Sequence, residues 1–458
     1  MTLCFVFILA SLAACGGAAP SGEPSRTLAP LAEREPISDG VSYALLRDTV
    51  FADAVTPEAK DWSWEANESG VTVLKYLGSA QRIAIPATLD GKPVTAVADR
   101  AFADRETLTA VLLPDSVTSI GEGILAGCTS LEALRTPLLG ANAKADAFLG
   151  YLFGGDSYTD NAMKVPATLE FLEVGGDMTK LPSYALFDCN DLRCLWFSNA
   201  LTAIEDYALF GCASLKYLPT EDLETLGSYA LFSCSSLLQL ELPQTLTSIG
   251  FGALEGCRSL RRLVLPFVGG SATENTYLGF VFGASVPDFS RGYYPASLQE
   301  VVVLEGCTAL GNYAFYECQS LQCVTLPEGL TSVGVRAFAE CVSLVELRLP
   351  TTLTTLRENS FFGCVRLETL ELGATALNSV GVNAFYDCIS LTRVTLPDTL
   401  KELPASCFAG CVALQTLDLG GVTRVGKNAL HRCDALSSVS SKEKVLYEDG
   451  NDAAERLK

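Results

Sequence analysis

Residues 321–344 read LQCVTLPEGLTSVGVRAFAECVSL, and this stretch decides the fold. The pattern restarts at residue 344 as LVELRLPTTLTTLRENSFFGCVRL and at residue 367 as LETLELGATALNSVGVNAFYDCISL. A period of about 23 residues is typical of a solenoid, in which each coil buries its apolar face against its neighbours. The length of 458 residues agrees, because it exceeds one ordinary globular core but suits an array that grows coil by coil.

One coil reads Leu-x-x-Leu-x-Leu-Pro, then Leu-x-x-Ile-Gly, then Ala-Phe-x-x-Cys. In the first part, Leu240 and Leu242 lie on one side of a short strand, because side chains alternate along a strand. The following proline ends the strand, since it cannot donate to the ladder. The Ile-Gly pair is predicted to turn the chain, and the Ala-Phe segment to form a short helical turn that drives the Phe into the core.

Eleven of the 17 cysteines occupy one position of this repeat, at steps of 22–24 residues or, twice, of 61. A thiol that recurs once per coil is predicted to be a small buried side chain that donates weakly to the next turn's carbonyl. No pair has the CxxC spacing of a zinc site, although neighbouring thiols would lie within disulfide reach. These cysteines are Cys128, Cys189, Cys212, Cys234, Cys257, Cys318, Cys341, Cys364, Cys388, Cys411 and Cys433.

The repeat resembles the BspA-type leucine-rich repeat of bacterial surface proteins over about residues 75–440. The matching motifs are Leu246-Thr-Ser-Ile249-Gly250, Val333-Gly334-x-x-Ala337-Phe338-x-x-Cys341 and Val380-Gly381-x-x-Ala384-Phe385-x-x-Cys388. The resemblance implies an α/β solenoid, a right-handed superhelix or horseshoe of about 14 coils, with parallel strands on one face and short helices or turns on the other. It also implies adhesion to host matrix or to other cells, but repeats preserve stacking residues rather than binding residues.

The N-terminus reads as an export signal. Residues 1–15 are predicted to be a signal peptide, because residues 3–14 form an apolar run that is too short to span a bilayer. The end of this run, Leu12-Ala13-Ala14-Cys15, resembles the lipobox of bacterial lipoproteins, although the segment lacks the usual preceding Lys or Arg. That resemblance implies an acylated Cys15 that anchors the chain in a bacterial membrane.

The rest of the chain divides into a tether, a cap, the array and a tail. Residues 16–59 begin with small, polar and proline-bearing sequence and are predicted to be a flexible tether. Residues 60–98 contain the hairpin-turn signal Asp90-Gly91 and are predicted to cap the array at residues 99–440. Residues 441–458 form a polar tail, which is either a poor C-terminal cap or the stub of a longer protein.

The two 61-residue steps contain matched insertions near residues 137–180 and 266–309, which indicates an internal duplication. Aromatic residues recur at positions 148, 151 and 153 of the first insertion and 277, 280 and 282 of the second. Two interpretations stay open. The rings pin each insertion onto its own coil, or they form an exposed binding loop.

Composition and motifs argue against several classes of function. The chain carries 32 Lys+Arg against 53 Asp+Glu, a formal charge of −21, which disfavours nucleic acid and anionic membrane surfaces as partners. Its single histidine, His431, occupies a variable slot of the last coil, and no GxSxG, HExxH, Walker or Rossmann motif is present. We therefore predict no enzymatic activity, no cofactor and no metal site.

The candidate binding surface is the outward side of the strands, at the x positions of Leu-x-x-Leu-x-Leu. Aromatic residues and arginines are enriched at protein interfaces, so this surface is predicted to bind a partner. The alternative is that these side chains only solvate the sheet. The candidate binding residues are Trp196, Tyr217, Arg261, Arg262, Arg348 and Arg393.

These observations predict a non-enzymatic protein that is exported, lipid-anchored at the bacterial cell surface and monomeric. Its expected partners are extracellular proteins or glycans, and its membrane contact is the lipid on Cys15. Two other hypotheses remain. The chain is an envelope scaffold or sensor without host contact, or it is the binding part of a longer enzyme.

Overall fold

The computed structural model describes residues 40–143 and 147–455, and residues 37–458 form one compact unit. The described residues form a solenoid of about 16 turns with parallel strands and little helix, which confirms the predicted architecture and is close to the predicted count of about 14 coils. The predicted signal peptide and Cys15 lie outside the described residues.

One column of short parallel strands follows the array, and we call its outward surface the strand face. The middle residues of neighbouring strands, such as Leu134, Leu172 and Leu195, pair in register and are fully buried. Because side chains alternate, the residues on either side of them form two outward rows. The strands are β3 (Arg82–Ala84), β6 (Ala110–Leu112), β8 (Ala133–Thr136), β9 (Phe171–Val174), β11 (Cys194–Phe197), β14 (Gln239–Glu241), β16 (Arg262–Leu265), β17 (Glu300–Val303), β19 (Cys323–Thr325), β21 (Glu346–Arg348), β23 (Thr369–Glu371), β25 (Arg393–Thr395), β27 (Thr416–Asp418) and β29 (Ser438–Ser440), and Tyr217 joins the column through a bridge to Cys194.

A second column of two-residue strands is formed largely by the Leu-x-x-Ile-Gly segments. Between the two columns the Ala-Phe segments form turns, because residues such as Arg336 and Glu340 have φ of 53° and 61° and cannot continue a right-handed helix. The strands are β7 (Ser119–Ile120), β10 (Lys180–Leu181), β12 (Ala203–Ile204), β13 (Thr225–Leu226), β15 (Ser248–Ile249), β18 (Ala309–Leu310), β20 (Ser332–Val333), β22 (Thr355–Leu356), β24 (Ser379–Val380), β26 (Glu402–Leu403), β28 (Arg424–Val425) and β30 (Leu446–Tyr447).

Four strands precede or flank the first coil. Strand β1 (Trp62–Ala66) pairs antiparallel with β2 (Val71–Tyr76), and β4 (Thr88–Leu89) forms a hairpin with β5 (Lys92–Val97). Strand β5 pairs in parallel with both β2 and β7, which joins these strands to the solenoid. The Trp62 ring lies 6.2 Å from that of Phe102 between centroids, so the N-terminal strands share the core of the array.

The cysteine column is buried, and burial favours the protonated form of its thiols. Cys341 Sγ donates to the carbonyl of Phe315 at 3.1 Å, so the acceptor lies in the preceding coil rather than in the next one. Burial raises the pKa of Cys318 and of Cys388 to about 12, although a backbone hydrogen bond lowers each of them in part. All the described cysteines are free thiols, and those of the column serve as packing residues.

Both insertions stack into the solenoid. Their matching 3-10 helices, Leu149–Phe153 and Leu278–Phe282, begin with an N–H that donates to Ala185 O at 2.9 Å and to Ala314 O at 2.8 Å, respectively. Four of the six matched aromatic residues are buried, which favours the pinning interpretation. Further short elements of the insertions are the 3-10 helices Tyr158–Asp160 and Pro287–Gly292 and helix α2 (Asn161–Lys164), and the insertions also supply β9 and β17 to the strand column.

Two segments outside the predicted array also form regular elements. Within the predicted tether, residues Tyr43–Phe51 form helix α1, and a 3-10 helix at Ala59–Asp61 spans the predicted boundary between tether and cap. Within the predicted polar tail, β30 pairs with β28, and helix α3 (Asp452–Glu455) follows the buried Asn451. Helix α1 differs from the flexible chain expected in the tether, because it is held on a surface that the array supplies.

Candidate binding face

The predicted binding residues all lie on or beside the strand face, but they do not form one patch. Two of them, Trp196 and Tyr217, are neighbours whose ring centroids are 6.3 Å apart. Arg261 directly precedes β16 and Arg262 begins it, while Arg348 ends β21 and Arg393 begins β25. The strand face therefore carries an aromatic patch near β11 and, at a distance from it, arginines that are spread along the rest of the face.

The arginines differ in whether a carboxylate of the chain already pairs with their charge. Arg262 lies between two carboxylates, with an ion pair to Glu241 and another to Glu300, where Nε and Oε1 are 3.5 Å apart. Arg348 and Arg393 are exposed. The exposed arginines, rather than Arg262, are thus the cations that the face presents to solvent.

The aromatic patch is covered, which corrects the expectation that the outward side chain of Trp196 is accessible to a partner. Only 4% of Trp196 is exposed. The Tyr43 ring of α1 stacks on that of Tyr217 with centroids 4.8 Å apart, and Phe51 of α1 meets Trp196 edge-on at 6.4 Å. Helix α1, whose residues fall within the predicted tether, lies on the predicted binding residues because aromatic rings on both surfaces are removed from water together.

A buried carboxylate, Glu173 of β9, lies at the centre of this contact. Its side chain is 3% exposed, and Arg47 of α1 binds both of its oxygens, through Nε at 3.0 Å and through a terminal nitrogen at 2.6 Å. Arg135 Nε donates to the same carboxylate at 3.2 Å and Ser198 Oγ at 3.0 Å. A carboxylate with three donor residues meets the requirement that a buried charge be paired and hydrogen-bonded.

The protonation of Glu173 is linked to the docking of α1. Burial by itself raises the pKa of this carboxyl group, but the hydrogen bond and charge of Arg47, with help from Ser198 and Arg135, leave the pKa below its usual value. A carboxyl group with a lowered pKa contributes stability above its ordinary pKa and loses it as the pH falls through the lowered value. Acid therefore weakens the contact between α1 and the strand face.

Sequence reasoning missed Glu173 and Arg47. Glu173 occupies an x position of the strand LEFLEV, directly opposite Trp196 in the register of β9 and β11. That position marked it as outward-facing, but its partner Arg47 is 126 residues away along the chain. Repeat periodicity carries no information on a contact between the array and a segment outside it.

A groove of about 220 Å³ continues the covered patch towards β14. Its walls are partly polar and carry both signs of charge, because Lys216, Glu221 and Glu241 all line it. The lining residues that define it are Tyr43, Lys216, Thr220, Glu221, Gln239 and Glu241. The groove borders the Tyr43 side of α1, so it extends the surface that α1 occupies.

A separate aromatic ladder runs along the turns of three consecutive coils that share the sequence Tyr-Ala-Leu-Phe. The rings of Tyr184, Tyr207 and Tyr229 stack with centroids 5.0 and 5.2 Å apart. A parallel stack joins Phe187, Phe210 and Phe232 at 4.8 and 4.3 Å. Because each ring covers the face of the next, the ladder offers mainly ring edges and is a packing feature rather than a platform for a flat ligand.

The single histidine, His431, lies on the surface of the last coil beside an aspartate. His431 Nδ1 lies 3.5 Å from Asp452 Oδ2, with both side chains well exposed. Within residues 40–143 and 147–455, no group of three or more His, Cys, Asp or Glu side chains is placed to hold a metal ion. None of the helices in this part of the chain has the length and apolar character needed to span a bilayer.

Comparison with known proteins identifies the repeat. The model of the BspA type leucine rich repeat region matches in 6 copies, over residues 75–150, 159–276, 290–381 and 374–451. None of the curated proteins compared matches this chain.

Several solved structures are similar to the chain. A leucine-rich repeat protein from Bacteroides ovatus is 19% identical with a TM-score of 0.39, over 86% of this chain and 90% of its own. A leucine rich cell surface protein from Faecalibacterium prausnitzii is 20% identical with a TM-score of 0.28, over 86% and 96%. The pneumococcal vaccine antigen PcpA is 16% identical with a TM-score of 0.28, over 86% and 98%.

The family match covers most of the residues that form the two strand columns and the cysteine column. It thus rests on the same Leu, Gly, Phe and Cys positions that build the solenoid, and it confirms the resemblance read from the sequence. This chain belongs to the BspA-type leucine-rich repeat family.

Proposed function

We propose that this chain is an exported, non-enzymatic surface protein that binds a protein or glycan partner through its strand face. The observation that carries the proposal is the pair of outward rows, whose side chains the core does not need for packing. Strands about 4.8 Å apart make this face roughly 65 Å long, which suits a macromolecular partner. Adhesion to host matrix or to other cells is the form of this function that the family favours.

The proposal predicts that exposed arginines of the strand face contribute to affinity. The chain from residue 37 onward, which is the compact unit, would be screened by surface plasmon resonance against matrix proteins and by a glycan array. For a ligand so found, replacing both Arg348 and Arg393 with Glu is expected to weaken binding by about tenfold or more, because charge reversal opposes a complementary surface.

The matched control replaces both Arg336 and Arg432 with Glu, which makes the same charge change in exposed turns rather than on the strand face. This variant is expected to keep the affinity of the parent chain. A ligand that binds equally well to the Arg348 and Arg393 variant, or that is lost with the control, would place the binding surface elsewhere.

The lipid anchor is a separate part of the proposal, and it depends on Cys15. Replacing Cys15 with Ala in the full-length gene is expected to move the protein from the detergent phase to the aqueous phase in Triton X-114 separation, because the acylated residue is lost. A Cys4→Ala variant, which changes the other cysteine of the predicted signal peptide, is expected to stay in the detergent phase. Continued detergent partition of the Cys15 variant would mean that the anchor lies elsewhere.

A further inference from the structure

Helix α1 contacts the strand face through one side only. Tyr43, Arg47 and Phe51 are spaced four residues apart, so they lie above one another on the same side of the helix. Together they place an aromatic ring, a guanidinium and a second aromatic ring over the sheet. Their contacts on the sheet are Tyr217, Glu173 and Trp196, respectively.

Helix α1 is not part of the core. None of its nine residues is fully buried, all nine being described. A helix of this length is marginal on its own in water, so it is helical because the strand face holds it. Its departure would uncover Trp196 and Glu173 without opening the leucine core beneath them, whose members Leu172 and Leu195 are covered by the strands themselves.

The fit of α1 to the site is incomplete. Trp196 Nε1 is buried, and among the described residues none offers it a hydrogen-bond acceptor. A buried donor without a partner disfavours the state that contains it. A helix with an acceptor near the position of Phe51 would satisfy this donor, and a helix longer than α1 at the Tyr43 end would also enter the adjoining groove.

We propose that α1 is a displaceable intramolecular occupant of a helix-binding site formed by Arg135, Glu173, Trp196 and Tyr217. This inference rests on the proposed surface-binding function and names its partner class. The partner is a protein that presents an amphipathic helix with an arginine flanked four residues away on each side by an aromatic residue. Its arginine takes the place of Arg47 on the Glu173 carboxylate, which Arg135 and Ser198 orient from the strand face.

The test supplies the helix in trans. The chain shortened to residues 54–458 keeps the bridge between Val55 and Ile83 but lacks α1. A fluorescent synthetic peptide of residues 40–53 is expected to bind this chain saturably, and to bind the chain that starts at residue 37 at least about tenfold more weakly, because α1 already fills that site.

Peptide variants test the recognition pattern. Arg47→Ala is expected to weaken binding to the shortened chain by about tenfold or more, since it removes the bidentate contact with Glu173. Leu45→Ala is the matched control and is expected to change the affinity little, because Leu45 is 68% exposed on the other side of the helix. An alanine- and glutamine-based helix that carries only Tyr-x-x-x-Arg-x-x-x-Phe is expected to bind within about threefold of the native peptide.

Three outcomes would overturn the inference. They are absence of peptide binding to the folded shortened chain, equal binding of the Arg47→Ala peptide, and failure of the alanine- and glutamine-based helix to bind. If the shortened chain does not fold, the chain from residue 37 with Arg47→Ala and Phe51→Ala replaces it. That variant is expected to bind the native peptide at least about tenfold more tightly than its parent and to show stronger acrylamide quenching of tryptophan fluorescence, and no change in either would contradict the inference.

Light scattering distinguishes a second copy from a foreign partner. A dimer of the chain from residue 37, in which the copies exchange α1, would assign the site to self-association and overturn the partner class proposed here. The peptide assay needs no identified surface ligand, whereas the Arg348 and Arg393 screen does not use this site. Failure of this inference is therefore distinguishable from failure of the proposed function.

Discussion

Replacing Phe338 with Ala is expected to lower the free energy of unfolding by about 3–5 kcal/mol. Phe338 is fully buried, and its ring stacks between those of Phe315 at 5.0 Å and Phe361 at 5.1 Å. The substitution removes a ring from the middle of a continuous stack and leaves a cavity that neighbouring coils cannot close. Guanidinium titration followed by circular dichroism measures the loss.

The control for this experiment is Phe289→Ala. Phe289 is 67% exposed in the second insertion, so the same truncation there is expected to change the free energy of unfolding by less than about 0.5 kcal/mol. A Phe338 variant whose loss of stability is no larger than that of the control would show that the phenylalanine stack is not a principal source of stability. Because each coil contacts only its neighbours, hydrogen exchange is expected to localise the loss to the coils around residue 338.

Replacing Gly381 with Ala is expected to lower the free energy of unfolding by about 1–3 kcal/mol or more, although alanine is usually the better residue elsewhere. An added Cβ would lie 2.3 Å from Glu358 N and 2.5 Å from the carbonyl carbon of Arg357, both in the backbone of the preceding coil. Neither neighbour can rotate away, so the two coils must separate locally. The same guanidinium titration checks the expected loss.

Arg357→Ala is the matched control, because Arg357 occupies the same repeat position one coil earlier and already carries an exposed side chain. Its free energy of unfolding is expected to stay within about 0.5 kcal/mol of the parent. If Gly381→Ala proves as stable as the parent, the coils are less tightly stacked than the atomic contacts indicate.

Two explanations of the repeated glycine are possible from the sequence: backbone freedom in a turn, or close approach of the neighbouring coil. The structure distinguishes them. The Ile-Gly and Val-Gly pairs predict a turn, as though glycine were needed for its backbone freedom. Gly381 is absent from the residues with positive φ, so its backbone conformation is open to any residue. What requires glycine here is the distance between coils, which belongs to the stacked structure and not to one repeat.

In the candidate site, too, the sequence predicted the positions of the residues but not their contacts. Periodicity placed Trp196 and Tyr217 on the outward side of the strands, and both do lie on the strand face. Whether they are accessible depends on helix α1, which lies within the predicted flexible tether at residues 16–59. Arg47 and Glu173 meet only after the chain has built the array between them.

By itself, the sequence determined the solenoid, the buried columns and the outward positions, because each follows from a local pattern of side chains repeated about every 23 residues. Tertiary structure alone decided which outward positions are free, why particular glycines are needed and where the non-repeating ends lie. Those features depend on distances between coils and on contacts between a single segment and the finished array. Residues 321–344 show the side-chain pattern that makes the coils stack, but no repeat predicts the contact of α1 with Glu173.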